Sequence, residues 1–230
     1  MALITLGPLV GQVSGRLGAT IFSHNKGGPY VRNGSIPTNP NTTYQQNIRA
    51  NLANRSQEWA GLTDPQRMAW SAWAVENPVR NRLGKAVQLS GQQSYIQLNH
   101  RLQQSGSSLI TVPPVEAPPA PLATLTGTFD IGAGDFEAAY TATPAPTGVM
   151  VALQVAVVSG PGISYIENLL KLVGFTAAAA ASPYDCEAAT VARFGTLQVG
   201  QKVVMRAQTF DTATGLYSLP LQDEGLIVTT

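Results

Sequence analysis

Five prolines fall within nine residues near the middle of the chain, at Pro113, Pro114, Pro118, Pro119 and Pro121 in the run TVPPVEAPPAP. Each proline fixes φ and removes an amide donor, so neither a helix nor a central strand can pass through. Residues 113–121 are therefore expected to form an extended polyproline spacer, roughly 28 Å long at about 3.1 Å per residue. The two flanks differ in charge. Residues 1–112 hold ten Lys/Arg against three acids, a net of +7, and residues 113–230 hold four against ten, a net of −6. The formal charge of +1 for all 230 residues hides this polarity.

Each flank is long enough to bury a core of its own. Charged residues make up only 12% of the chain, about half the usual 25%. That deficit favours a surface partly covered by neighbours, the alternative being a surface of Gln, Asn, Ser and Thr. Cys186 is the single cysteine, which rules out an internal disulfide and a cysteine metal cluster and suits synthesis in a reducing cytoplasm. The start, MALITLGPLV, lacks the basic segment and small-residue cleavage site of a signal peptide. The apolar run at 149–158 is too short to cross a bilayer and suits a buried strand.

Residues 1–40 read as an extended Gly/Pro-rich arm. Two β-prone pieces, 19–22 and 30–32, flank Asn25-Lys26-Gly27-Gly28 and suggest a hairpin. After Pro40 the period becomes helical. Tyr44, Ile48, Leu52, Arg55 and Trp59 form one stripe, with Asn41 or Thr42 as cap and Gly61 as terminator. Thr63 and Gln66 form a capping box for a second helix, with Pro65 in its first turn. Ser90 and Gln93 repeat the box for a third, striped by Tyr95, Leu98 and Leu102 and ended by Gly106. Residues 41–112 are thus a small helical domain whose core is Trp59, Trp70 and Trp73, read as packing rather than a ligand cage.

Beyond the spacer the apolar period is two. Strands are expected at 123–131, 136–142, 149–158, 191–194, 202–209, 217–219 and 226–229, with helical turns at 165–173 and the alanines 177–181 left open between loop and helix. The fold class is therefore α+β: arm, three helices, then an all-β antiparallel sandwich over residues 122–230.

Catalytic motifs are scarce. His24 and His100 stand alone, with no HExxH pair. There is no GxxxxGK[ST], no GxGxxG after a strand and no GxSxG. The acid pairs Asp135/Glu137 and Asp223/Glu224 sit in ordinary contexts. Three Asn-x-Ser/Thr triplets, at Asn33, Asn41 and Asn54, are short enough to occur by chance. No cofactor or metal is implied. The arginines of the basic half are dispersed among Gln, Asn and Ala, so an acidic protein surface is favoured over nucleic acid as their partner.

Residues 10–105 carry Gly15, Gly18, Phe22, Arg32, then Pro37-x-Asn39-Pro40 with Thr42 or Thr43 and Gln45 or Gln46, then Leu62, Thr63, Gln66, Arg67 and Trp70. This order resembles structural proteins of tailed bacteriophages and prophages. In the other half, residues 197–207 with Gly215–Ser218 resemble the penultimate hairpin of a fibronectin type III or immunoglobulin-like sandwich. Val203 stands where that fold's corner tyrosine would be, and Tyr140 or Phe136 replaces its core tryptophan. The resemblance implies a non-enzymatic virion protein made in the host bacterial cytoplasm. Arg32, Arg49, Arg55 and Arg67 would dock it onto capsid, neck or tail proteins, with homo-oligomers expected, no membrane, and a head decoration or minor capsid role favoured over neck or tail. The alternatives are a host-surface or glycan-binding module and, more distantly, a nucleic-acid-binding protein.

Overall fold

In the computed structural model, the glycine-rich start of the chain turns back on itself as a small sheet. The structure describes every residue except Met1, Leu9, Ile36, Pro37, Arg82, Leu83, Ala133, Ala142, Thr143, Pro144 and Thr230. Pro37 of the phage-like pattern, Arg82 of the basic half and Ala142 of an expected strand lie outside the described residues. The chain is mixed, with four helices and four antiparallel sheets among the described residues. It divides into two units, Met1–Gln97 with Thr111–Pro113, and Leu98–Ile110 with Pro114–Thr230.

The first unit opens with β1 (Ala2–Leu3), β2 (Gly15–Leu17), β3 (Thr20–Asn25) and β4 (Gly28–Asn33), in the spatial order β1-β4-β3-β2. Asn25 faces Gly28, which leaves Lys26-Gly27 as a two-residue turn. Gly28 has φ of 107°, a conformation that side chains resist. The expected hairpin is present, and the arm is a four-stranded sheet rather than a bare extended chain. None of its described residues is fully buried. Next come α1 (Thr43–Gly61), α2 (Asp64–Glu76), the short ribbon β5 (Val79–Arg80) with β6 (Ala86–Val87), and α3 (Gly91–Ser105). The Thr42 hydroxyl caps α1 by accepting from the Gln45 amide. At α3 the box is reciprocal: Ser90 Oγ accepts from the Gln93 amide, and Gln93 Oε1 accepts from the Ser90 amide. Gly106, at φ 75°, ends α3 as its amide donates to Gln103 and the Ser107 amide to Leu102.

The second unit takes in the last turns of α3, which the sequence assigned to the helical domain. Its strands are β7 (Thr124–Asp130), β8 (Asp135–Thr141), β9 (Val149–Val158), β10 (Lys171–Phe175), β11 (Tyr184–Asp185), β12 (Lys202–Asp211) and β13 (Leu221–Leu226), with α4 (Glu187–Phe194) between β11 and β12. They form a sheet β10-β9-β12-β13 and a sheet β11-β8-β7. Phe129, Phe136, Ala138 and Tyr140 of the smaller sheet share one core with Val151, Leu153, Val155, Val203, Met205 and Ala207 of the larger. The opposite face of β9 and β12 is covered too. Leu102 packs on Ala152 and Phe210, joined by Ile110 and Tyr217. Ile166, Leu169 and Leu170 cover Ala156 and Val204. Two-sided burial is why β9 reads VMVALQVAVV, nearly continuous apolar sequence, instead of alternating.

Three expectations need correction. The second unit is not all-β, because residues 191–194 belong to α4. Asp185 Oδ1 accepts from the Glu187 amide at its start, Glu187 and Arg193 match the helix dipole, and Gly195 ends it at φ 84°. Within 165–173 the helical turns give way to β10, whose Lys171–Phe175 pairs with β9 across a bulge. Residues 217–219 contribute only a single bridge, Tyr217 to Phe210. Along one edge the two sheets are tied together. The Val228 amide donates to Phe129, the Ile131 amide to Val228, and the Gly127 amide to Asp223 Oδ2 at 2.7 Å. Here the Phe129 ring lies over Gly127 and Gly225, where a Cβ on either would collide with it.

Candidate docking surface

The turn between α1 and α2 and the helix after it hold Leu62, Thr63, Gln66, Arg67 and Trp70, the last part of the pattern noted in the sequence. Leu62 closes α1 and is buried. Its carbonyl accepts from Arg67 Nε at 3.0 Å and Nη2 at 2.8 Å, a charge-assisted cap on a helix C-terminus. Thr63 opens α2, and Gln66 Oε1 accepts from both its amide and its hydroxyl. Trp70, fully buried, donates its indole N–H to the Thr111 carbonyl at 3.0 Å. Leu62, Thr63, Gln66, Arg67 and Trp70 are thus all engaged within the fold, in the caps of two successive helices and in a bond to the Thr111 carbonyl.

Aromatic rings link the three helices. Trp70 meets Tyr95 edge-on at 5.5 Å and Trp73 at 5.9 Å, while Trp59 tilts against Tyr95 at 5.6 Å. Trp59 and Trp73 are half-buried and Trp70 is sealed. The hub is Tyr95, which the tryptophan count does not reveal. Its hydroxyl donates to Glu58 Oε2 at 3.3 Å, and Glu58 pairs with Arg55 at 2.9 Å. Burial, and then the Glu58 charge, push the Tyr95 hydroxyl above the ordinary tyrosine range.

The four arginines expected to dock therefore have different fates. Arg55 is only 6% exposed and committed to Glu58, so it is a core cation and not part of an accessible face. Arg67 is half-exposed but holds Leu62 and lies 3.7 Å from Asp64. Arg32, on β4, and Arg49, on α1, are exposed. Arg49 donates to Asn39 Oδ1 at 2.8 Å. Apart from Arg55 and Arg67, none of the described cations of this unit, Arg16, Lys26, Arg32, Arg49, Arg80 and Lys85, joins an ion pair. Of the unit's acids, only Glu76 remains outside one. Apolar side chains are left in water alongside: Leu17, Leu52, Met68 and Val75 are each more than half exposed.

The same unit holds a cleft of about 700 Å³, walled by β1, the β3–β4 turn, α2, β6 and the start of α3. Lys26 and Lys85 line it with apolar Leu3, Val75 and Val87, and no acid does among the described residues. Sequence spacing could not show this, because residues 3, 26 and 85 meet only through the fold.

Reactive-looking residues of the second unit are bound into its structure. Cys186 is buried and donates to the Phe136 carbonyl, and burial, then the Asp185 charge, push its thiol up to about 12. Asp223 accepts from Gly127, and Glu224 pairs with Lys202 at 2.9 Å. Phe136 and Tyr140 both fill the core, and Val203 is sealed within it. In the first unit, His24 Nδ1 accepts from Gln12 Nε2 at 2.9 Å. No group of three His, Cys, Asp or Glu that could hold a metal occurs among the described residues, and no helix among them is long and apolar enough to cross a membrane. No family model matches the chain, and no curated protein or solved structure is similar to it.

Proposed function

We propose that this chain is a non-enzymatic structural protein of a tailed-bacteriophage particle, attached through its basic first unit and displaying its acidic second unit. The observation that carries this reading is the unbalanced charge of the first unit. Its internal ion pairs consume Glu58 and Asp64 and leave Arg16, Lys26, Arg32, Arg49, Arg80 and Lys85 facing one acid, Glu76. Such a surface favours an acidic protein shell, drawn in by long-range attraction. The resemblance of residues 10–105 to phage structural proteins supplies the setting, a virion assembled in a bacterial cytoplasm. Within it, head decoration or a minor capsid position is our preferred role over neck or tail.

We read the second unit as a relative of the fibronectin type III and immunoglobulin-like sandwiches, on the strength of two antiparallel sheets around one core. A host-glycan or receptor-binding role for that unit is the second reading, favoured by Tyr165 and Ile163, exposed on one loop. Tyr184 does not add to that patch, being half-buried with its hydroxyl against Gly174.

Mass spectrometry of purified particles tests the first reading. We expect the chain at a stoichiometry set by the particle's symmetry. Its absence from particles, with steeply salt-dependent DNA affinity in its place, would make it a nucleic-acid-binding protein. Glycan binding lost on Tyr165→Ala would establish the second.

A further inference from the structure

The cleft of the first unit has two open strand edges on its walls. Ile4 donates its amide to Pro29, so by the alternation of an antiparallel ladder the N–H and C=O of Leu3 point away from β4. The Asn81 amide donates to Lys85, so the backbone of Ala86 likewise points away from β5. Leu3 and Ala86 both line the cleft. Unpaired strand edges are templates for an added strand, and the lysines select an acidic one.

The chain carries one segment of matching chemistry. Val115 is 99% exposed, the most exposed large apolar residue among the described residues, and Glu116 beside it is exposed and in no ion pair among them. Prolines on both sides keep the segment extended, which lowers the entropy lost on docking. Val115, Glu116 and Ala117 are its three consecutive residues with amides to offer.

We propose that the cleft receives Val115–Ala117 of a second copy of the chain, added as an extended strand with Glu116 between Lys26 and Lys85 and Val115 against Leu3 and Val87. The contact joins two different surfaces, so copies either exchange the segment reciprocally in a two-fold dimer or propagate head to tail into a ring or a filament. This goes beyond attachment to a particle and holds whatever the chain attaches to.

Sedimentation velocity on the full chain tests it. Wild type self-associates with rising concentration. Glu116→Lys alone, and Lys26→Glu with Lys85→Glu, each weaken association at least tenfold, about 1.4 kcal/mol. A mixture of the two variants associates again, because each then meets an opposite charge. Val115→Asp, at a site with no packing to lose, also weakens it. Circular dichroism is unchanged in all of them, since exposed charges add little stability. A wild type that stays monomeric up to its solubility limit, or reversals that associate as well as wild type, would overturn the inference. If the monomer still occupies particles, the proposed attachment stands without it.

Discussion

The two units reach stability by different means. In the second, a sheet is covered on both faces, so that strands such as β9 and β12 contribute side chains to a core in either direction. Four of its cations are matched: Lys202 with Glu224, Arg206 with Glu167 and Gln222, Lys171 over the Phe194 ring, Arg101 over Tyr217. In the first unit, a few aromatic rings and caps hold the helices, the arm sheet buries no residue fully, and six described cations join no ion pair. The contrast teaches that unmatched positive charge collects where the internal core is thinnest. Such a surface is available to another molecule.

The comparison breaks most visibly if the units melt as one. All three tryptophans lie in the first unit, so their emission reports that unit alone. Phe136→Ala should cost about 3–5 kcal/mol and lower the midpoint of the β-sheet circular dichroism transition, leaving the tryptophan transition in place. Equal shifts of both would show one cooperative body instead of two.

A smaller effect sharpens the boundary. Leu102 is sealed against Ala152 and Phe210, so a fragment of residues 122–230 lacks part of its cover. It should be less stable than residues 91–230 by about 2–5 kcal/mol, the cost of losing one large core side chain. Equal urea midpoints would mean that the end of α3 is dispensable. Within the first unit, Thr63→Ala should cost about 1 kcal/mol through the lost cap, read from the tryptophan transition.

Cys186 gives the smallest effect at neutral pH. Its folded thiol keeps its proton up to about pH 12, whereas an ordinary thiol releases it near 9.0. The folded state therefore holds the proton more tightly. The contribution is complete below about pH 9 and is lost as pH rises toward 12. Iodoacetamide should label Cys186 only after unfolding. Rapid labelling of the native chain would show the second unit opening locally.

Much of this was legible in the residues because it is local. The boxes at Thr63–Gln66 and Ser90–Gln93, the Lys26-Gly27 turn and the run of β9 depend on neighbours a few positions apart, and each appears where expected. What was hidden depends on tertiary placement. Residues 191–194 look β-prone alone, but Asp185 and Gly195 fix the ends of a helix around them. The Arg55–Glu58 pair is local, three residues apart, but the burial of Arg55 is not, and the lysine cleft exists only once residues 3, 26 and 85 converge. For the proposed docking surface, the sequence shows only which unit is basic. Only the fold separates Arg32 and Arg49, which are exposed, from Arg55 and Arg67, which are structural.

Attachment kinetics on bare particles test the central claim most directly, that the first unit binds and the second is displayed. Arg32→Gln with Arg49→Gln should slow attachment and flatten its salt dependence between 0.1 M and 1 M, where the screening length falls from about 10 Å to about 3 Å. The same charge change in the second unit, Lys171→Gln with Arg193→Gln, should leave the rate unaltered. An effect confined to the second pair, or equal effects from both, would contradict the account.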